Sequence, residues 1–294
     1  MVRHPKVSLV LPTKNRPDLA EKTISSVLAQ NFQDWELVVA DNGDTSLPVE
    51  STWRSDPRVR VHRTGGLIMC DNWQAGYEQA RGDYVFLIED KMVLFPESLE
   101  VLHEVFLANN CDYFTFAIAT DTRSFRLGDD SSSKVYSLDV GELIDAVADC
   151  RLDHYSKIAP RTINTAFRRT YAQSVSARVG RLFRPMSPDY SCGALLLSGG
   201  GAGVHFPRAL ACFTPGPSLG NAYASGGKEG ELAVQEFGDS IQNLVRKLPS
   251  HSPLFGNTLL GELLDFLEAG GIPWTRLEPR EIPYWLMLVS EALV

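Results

Sequence analysis

The stretch Val7-Ser-Leu-Val-Leu-Pro-Thr-Lys-Asn-Arg-Pro17, answered by Val38-Val-Ala-Asp-Asn-Gly-Asp44, limits the folds open to this chain more than any other feature. Val7 to Leu11 is a continuous apolar run, as a strand buried on both faces requires. It ends in a polar turn. Pro17 suits the first position of a helix, and Asp18 and Glu21 favour a helix amino end. Ala20, Ile24, Val27 and Leu28 then recur at helical spacing and give a stripe to lay on a sheet. A second strand, Trp35 to Ala40, ends in Asp-Asn-Gly. Strand–helix–strand units build a parallel α/β sheet, whose ligands bind beyond the carboxyl ends of its strands. Both polar clusters fall at such ends. Neither holds the GxGxxG of a dinucleotide site.

The alternation continues. A strand at Val59 to His62 follows a turn at Asp56-Pro57, and Asn72 to Ala80 reads as a helix stopped by Gly82. Tyr84 to Ile88 is a strand, Pro96 opens a helix, and Tyr113 to Ile118 is another strand. Beyond residue 120 the pattern weakens. Thr120 to Lys134 reads as a loop or hairpin and Gly141 to Val147 as a helix. Residues 161 to 184 mix arginines, including Arg168 and Arg169, with aromatics: a solvated helix face, or a contact for an anionic ligand. Gly230 to Lys247, Leu254 to Ala269 and Ile282 to Leu293 read as helices. The last is apolar nearly all round, which suits core packing or a homo-oligomer contact.

The net charge of −8 argues against nucleic acid as a partner, although Lys14, Arg16 and Arg63 could form a local pocket for phosphates. Five scattered cysteines without a CxxC pair argue against a disulfide scaffold and for a reducing compartment. The N-terminus runs straight into the first strand without a signal-peptide core. No apolar run approaches the ~20 residues of a membrane span. A cytoplasmic location without a transmembrane segment is the expectation.

From Val7 to Pro96 the sequence resembles the family-2 glycosyltransferases with the GT-A fold. The matching pieces are Leu11-Pro-Thr-Lys-Asn-Arg16, Ser26-Val-Leu-Ala-Gln30, Trp35-Glu-Leu-Val-Val-Ala-Asp-Asn42, Asp71-Asn-Trp73 and Gly82-Asp-Tyr-Val-Phe-Leu-Ile-Glu-Asp90 running to Pro96. Ser187-Pro-Asp-Tyr190 is a shorter match. The resemblance implies an α/β, nucleotide-diphospho-sugar transferase-like fold with a mainly parallel sheet flanked by helices. Residues 1–225 would form the transferase domain, with 1–120 binding the donor and 121–225 the acceptor. Residues 226–294 would be a helical appendage. The implied partners are a nucleotide-sugar, with a UDP- or dTDP-sugar favoured and guanine open, and a small-molecule or carrier-linked glycan acceptor. Pro12, Thr13, Asn15 and Arg16 would line base and ribose, with Asn42, Arg63, Asn72 and Asp90 in the same donor site. Asp41 would accept a hydrogen bond from the base's ring N–H. Its plainer reading is an Asx-turn at the strand end.

Members of the family end the strand that begins near Tyr84 in Asp-x-Asp, whose last acid holds a divalent cation. Here the chain reads Glu89-Asp90-Lys91. On a strand, Glu89 and Lys91 would share a face and Asp90 would point away. A protonated lysine has no acceptor for a metal but can itself neutralise part of a diphosphate, so the reading is that Lys91 replaces the cation and no metal cofactor is needed. Two readings compete: Asp90 could recruit Mg2+ or Mn2+, or Lys91 could pair with Glu89 and leave an impaired, sugar-nucleotide-binding protein.

An inverting transfer needs a base for the acceptor hydroxyl, and Asp189, after Ser187-Pro188, is the candidate. Its plainer reading is a helix cap. Gly199 to Gly203 and Thr214 to Asn221 are small-residue loops that could close over a diphosphate, bringing His205, Ser218 and Asn221 to phosphate or acceptor. Gly216-Pro-Ser-Leu-Gly220 also matches the GxSxG of serine hydrolases, with Asp239 and His251 following. Pro215 and Pro217 crowd the strand-to-helix elbow that a Ser218 nucleophile needs, so this rival is remote.

Overall fold

The computed structural model describes residues 4–48, 51–119, 134–185, 187–214, 239–252 and 254–292. The first elements are β1 (Val7–Thr13), α1 (Pro17–Leu28), β2 (Trp35–Asp41), β3 (Val59–Arg63), α2 (Met69–Glu78) and β4 (Tyr84–Leu87). Every residue of β1 and β2 is buried, which is why their apolar runs do not alternate. β1 pairs in parallel with β2 on one side and β4 on the other, and β2 pairs in parallel with β3. The order β3-β2-β1-β4 reverses direction at β1. The crevice beyond the carboxyl ends of β1 and β4 is therefore the topological switch point, where sheets of this kind take ligands. β1 runs past the end of β4, whose last partner is Val10. Pro12 thus lies beyond that ladder, where its missing N–H costs nothing.

The chain continues through β5 (Met92–Leu94), α3 (Ser98–Asn109), β6 (Tyr113–Ala119), β7 (Tyr136–Ser137), α4 (Val140–Ala148), α5 (Leu152–Ile158), β8 (Thr165–Arg168), α6 (Arg169–Val179), α7 (Pro188–Ser198) and β9 (Gly203–Phe213). Among the described residues these complete one sheet of order β3-β2-β1-β4-β8-β6-β9-β5, with β7 against β9. The expected parallel character holds in the first four strands. Beyond them β8 is antiparallel to β4 and β6, and β5 and β7 are antiparallel to β9. Neither β8 nor β9 was legible in the sequence. β8 has four residues, and β9 carries Pro207 and register shifts against β6 that erase any period.

Of the arginine-rich stretch, Arg178 lies on an exposed face of α6 with Gln173, Ser174 and Ala177, while others are engaged by backbone carbonyls. Arg168 donates to the carbonyls of Cys111 and Phe106, Arg169 to that of Gly82, and Arg184 to that of Val179. These guanidiniums satisfy backbone acceptors at element ends.

The C-terminal helices are α8 (Asp239–Val245), α9 (Phe255–Ala269), α10 (Trp274–Leu277) and α11 (Glu281–Ala292). α9 is almost wholly buried and packs on α7. Its Glu262 accepts a 2.7 Å hydrogen bond from the amide of Ser187, at the start of α7. α11 buries Tyr284 and Leu288 but exposes Ile282, Trp285, Leu286 and Val289, so among the described residues only one of its apolar faces is covered. The domain boundary expected at 225 falls outside the described residues. All five cysteines are free. No helix among the described residues is long and apolar enough to cross a membrane.

Candidate active site

The loops after β1 and β2 are locked together by their own polar side chains. Asn15, at φ 57°, accepts a hydrogen bond from the Asp44 amide and donates to its carboxylate, both at 2.8 Å. Asparagine tolerates this left-handed conformation better than most residues. Asp41 is buried and makes the Asx-turn: Oδ1 accepts from the Gly43 amide at 3.1 Å, and Oδ2 accepts from the Leu47 amide at 3.1 Å. Arg63 pairs with the same carboxylate at 2.9 Å and donates to the carbonyls of Gly43 and Thr45. A Cβ on Gly43 would lie 2.8 Å from the Thr45 carbonyl oxygen, so the turn needs glycine. Asn42 clamps the Leu67 amide and carbonyl, while Asn72 accepts from Thr64 and donates to the Ala40 carbonyl. Asp41, Asn42, Arg63 and Asn72 thus build the walls of the crevice. Oδ2 is taken by Leu47 and Arg63, while Oδ1, with the Gly43 amide as its one partner among the described residues, keeps a lone pair for a ligand N–H.

Across the crevice, Asp90 is buried and accepts from the Thr13 hydroxyl at 2.9 Å and from Arg16 at 3.3 Å. Burial pushes its carboxyl above the usual range, and Arg16 and Thr13 pull against that rise. The expectation that Glu89 and Lys91 share a strand face needs correcting. β4 ends at Leu87, and the Met92 amide donates to the Glu89 carbonyl at 3.0 Å, making residues 89–92 a β-turn. The turn reaches the expected separation by another route. Asp90 faces Thr13 and Arg16, while Lys91 turns back to Glu89 at 3.4 Å. Thr214, at the end of β9, binds the Lys91 carbonyl through both its amide and its hydroxyl, and the ammonium lies 5.3 Å from the Phe213 ring centroid.

The far wall is the first turn of α7. Asp189 sits in a recess there, and enclosure by protein raises its proton affinity. The positive charge of Arg161 is the main opposing influence, followed by amides at the helix start and Lys91. Glu89 is raised by burial as well; Lys91 lowers it, and Asp189 and Asp90 raise it further. Two carboxylates and two cations therefore meet where the 89–92 turn approaches α7. Arg161 was not singled out in the sequence, and no periodicity marks it: it follows α5 in a connection, and only packing brings it to Asp189.

His205 lies within β9, not in a loop, and its Nδ1 is 2.8 Å from the Thr115 hydroxyl, which donates to the Ile158 carbonyl. β9 meets the 89–92 turn through its carboxyl end, at Phe213 and Thr214, whereas His205 sits eight residues before Phe213, paired with Thr115 of β6 and Tyr136 of β7. Gly199 and Gly201 pack on Tyr171 at the carboxyl end of α7, opposite the end that carries Asp189, so that loop cannot close over the crevice. Ser218 and Asn221 lie outside the described residues.

Both Asp90 oxygens are engaged, one of them by a guanidinium, an ammonium stands next in the chain, and among the described residues no three His, Cys, Asp or Glu side chains converge as ligands.

Residues 8–144 match the family model described as "Glycosyl transferase family 2". Over 103 residues the chain is 32% identical to the GalNAc(5)-diNAcBac-PP-undecaprenol beta-1,3-glucosyltransferase of Campylobacter jejuni, covering 33% of each protein. Over 114 residues it is 30% identical to the poly(ribitol-phosphate) beta-N-acetylglucosaminyltransferase TarP of Staphylococcus aureus, covering 36% of this chain and 35% of TarP. The matches thus span about a third of these relatives. In fold the chain is similar to S. aureus TarS residues 1–349 in complex with UDP-GlcNAc, with a TM-score of 0.56, 12% identity, and coverage of 79% of this chain and 66% of that one. It is also similar to the mannosyltransferase PcManGT of Pyrobaculum calidifontis in complex with GDP-Man and Mn2+, with a TM-score of 0.50, 14% identity, and coverage of 99% and 81%.

Proposed function

Residues 8–144 belong to glycosyl transferase family 2, and from that premise we propose that the protein moves a glycosyl group from a nucleoside-diphosphate sugar, a UDP- or dTDP-sugar first, to an acceptor hydroxyl with inversion. The nucleoside enters the crevice between the β1 and β2 loops, and its diphosphate reaches the 89–92 turn. Asp189 takes the acceptor's proton as the acceptor oxygen bonds to the anomeric carbon. The bond from that carbon to the phosphate oxygen breaks, and the diphosphate leaves with the electron pair. Lys91 exchanges Glu89 for the leaving diphosphate and supplies positive charge there. A raised proton affinity at Asp189 suits a base working near neutral pH.

One observation supports this reading: the Lys91 ammonium, 3.4 Å from Glu89, stands on the turn that follows β4, beside the switch point of the sheet. The acceptor class of choice is a carrier-linked glycan, by analogy with the C. jejuni relative's named substrate. A second reading, binding of a nucleotide-sugar without transfer, is favoured by the Lys91–Glu89 pair, which occupies the one ammonium on the turn. A thermal-shift panel of UDP, dTDP, GDP and their sugars, each with and without EDTA and Mn2+, tests the donor site, because a ligand that favours the native state raises the melting temperature. Release of UDP from UDP-GlcNAc separates transfer from binding. No stabilisation by any nucleotide would reject both readings.

A further inference from the structure

We propose that Arg161 is a positioning residue that acts through Asp189, its guanidinium held as a fixed charge against the first turn of α7; the inference rests on Asp189 being the base. The connection that carries Arg161 is clasped to the first turn of α7 at several points. The Thr162 hydroxyl donates to the Asp189 carbonyl at 3.2 Å. The Arg161 amide donates to the Asn164 side chain at 2.8 Å, which tightens the 3-10 turn at Thr162–Asn164. Gly193, one helical turn beyond Asp189, lets α7 approach the Pro160–Arg161 backbone so closely that a Cβ there would be 1.8 Å from the Pro160 carbonyl oxygen. The guanidinium packs 5.5 Å from the ring centroid of Tyr190, the residue after Asp189.

Arg161 Nε is buried and has no hydrogen-bond partner among the described residues. A guanidinium nitrogen shut away from water and acceptors is costly, and the arrangement makes sense where the group serves as a fixed charge. Other groups face Asp189: Lys91 and Glu89 from the 89–92 turn, and, on α7 itself, the Cys192 thiol and the amides of the first turn. Lys91 is divided between Glu89 and Asp189. Arg161 is the cation whose influence on Asp189 is largest. Removing its charge leaves enclosure less opposed, so Asp189 holds its proton to higher pH and the rising limb of activity moves up with it.

The test compares the wild type with Arg161→Met, Arg161→Gln and Arg161→Lys. The Asp189 titration is followed by NMR of 13C-carboxyl-labelled protein, assigned by its loss in Asp189→Asn, and UDP release from UDP-GlcNAc is measured against pH. An opposite charge at close range moves a carboxylate by about one to three pH units. Met and Gln should therefore raise the Asp189 titration by about one unit or more, Lys should restore most of it, and the activity limb should follow while UDP affinity stays within ~2-fold. A merely structural role would lower turnover at every pH and leave the titration in place. An unmoved titration in whichever of Met and Gln keeps a wild-type melting profile overturns the proposal, as does weakened UDP binding without a titration change. A titration that moves while the activity limb stays still removes Asp189 as the base and leaves the Arg161–Asp189 relation standing.

Discussion

Gly193→Ala should destabilise the protein and cripple turnover while sparing nucleotide binding. Alanine within a helix normally stabilises relative to glycine by ~0.5–1 kcal/mol, so the sign of the effect is diagnostic. The new Cβ would meet the Pro160 carbonyl oxygen at 1.8 Å, its carbon at 2.5 Å and the Arg161 Cα at 3.1 Å. All three are backbone atoms and cannot rotate aside. α7 and the Pro160–Arg161 segment must part by ~1 Å or more, and such overpacking costs about 1–3 kcal/mol. In a chain of this size each kcal/mol is worth ~2–4 °C, so a fall of about 2–12 °C is expected. Asp189, on the same face of α7 one turn earlier, moves with the helix. A displacement of ~1 Å can cost about 10²-fold in rate. UDP affinity should hold, because the β1 and β2 loops do not touch this contact. The checks are thermal melting, UDP titration calorimetry and UDP release from UDP-GlcNAc. A variant that melts at or above the wild type would refute the packing argument, and one that is destabilised yet fully active would refute the link between α7 and chemistry.

Asp189→Asn should abolish transfer, retain UDP binding and raise the melting temperature near pH 7.5. The folded carboxyl holds its proton more tightly than the unfolded one. Its contribution is thus favourable below the unfolded value of about 3.9 and lost as pH rises through the folded value, so the variant's advantage should fade on acidification towards pH 4. An unchanged or lowered melting temperature at pH 7.5 contradicts the enclosure of Asp189. Lys91→Ala should weaken UDP binding by ~10-fold or more, the worth of a charge-assisted contact, whereas EDTA should leave wild-type activity intact. Activity lost in EDTA and regained with Mn2+ would discard Lys91 as the substitute cation. Glu36→Ala should cost about 3 kcal/mol by urea denaturation, near the lower end for breaking a buried pair because Arg60 is 29% exposed. Glu36 accepts from the Ser8 hydroxyl, the Arg81 amide and the Arg60 guanidinium. A loss below ~1 kcal/mol would show that water replaces those bonds readily.

The quoted motifs turn out to be partly architectural. Gln30 donates to the Phe95 carbonyl and accepts from the Leu99 amide, and Ser26 accepts from the Leu94 amide. The run from Ser26 to Gln30 therefore seats β5 and the start of α3, which in turn fixes the 89–92 turn. Likewise Asn42 and Asn72 hold loops in place. A motif read as ligand contact can serve the ligand by shaping its walls.

The first four strands, their helices and the two polar loops were readable from residue order alone. Their signals are local: apolar runs buried on both faces, a helical stripe, and turn chemistry in Asp41-Asn42-Gly43. Asp189 and Lys91 were candidates through the family resemblance; local context alone left Asp189 equally a helix cap. What local sequence could not supply was the sheet's mixed second half, the β-turn at Glu89 to Met92, and the meeting of Arg161 with Asp189. Those depend on contacts between segments distant in sequence, such as α7 against Pro160, Thr214 on Lys91 and α9 on Ser187, where close packing and enclosure set both geometry and proton affinity.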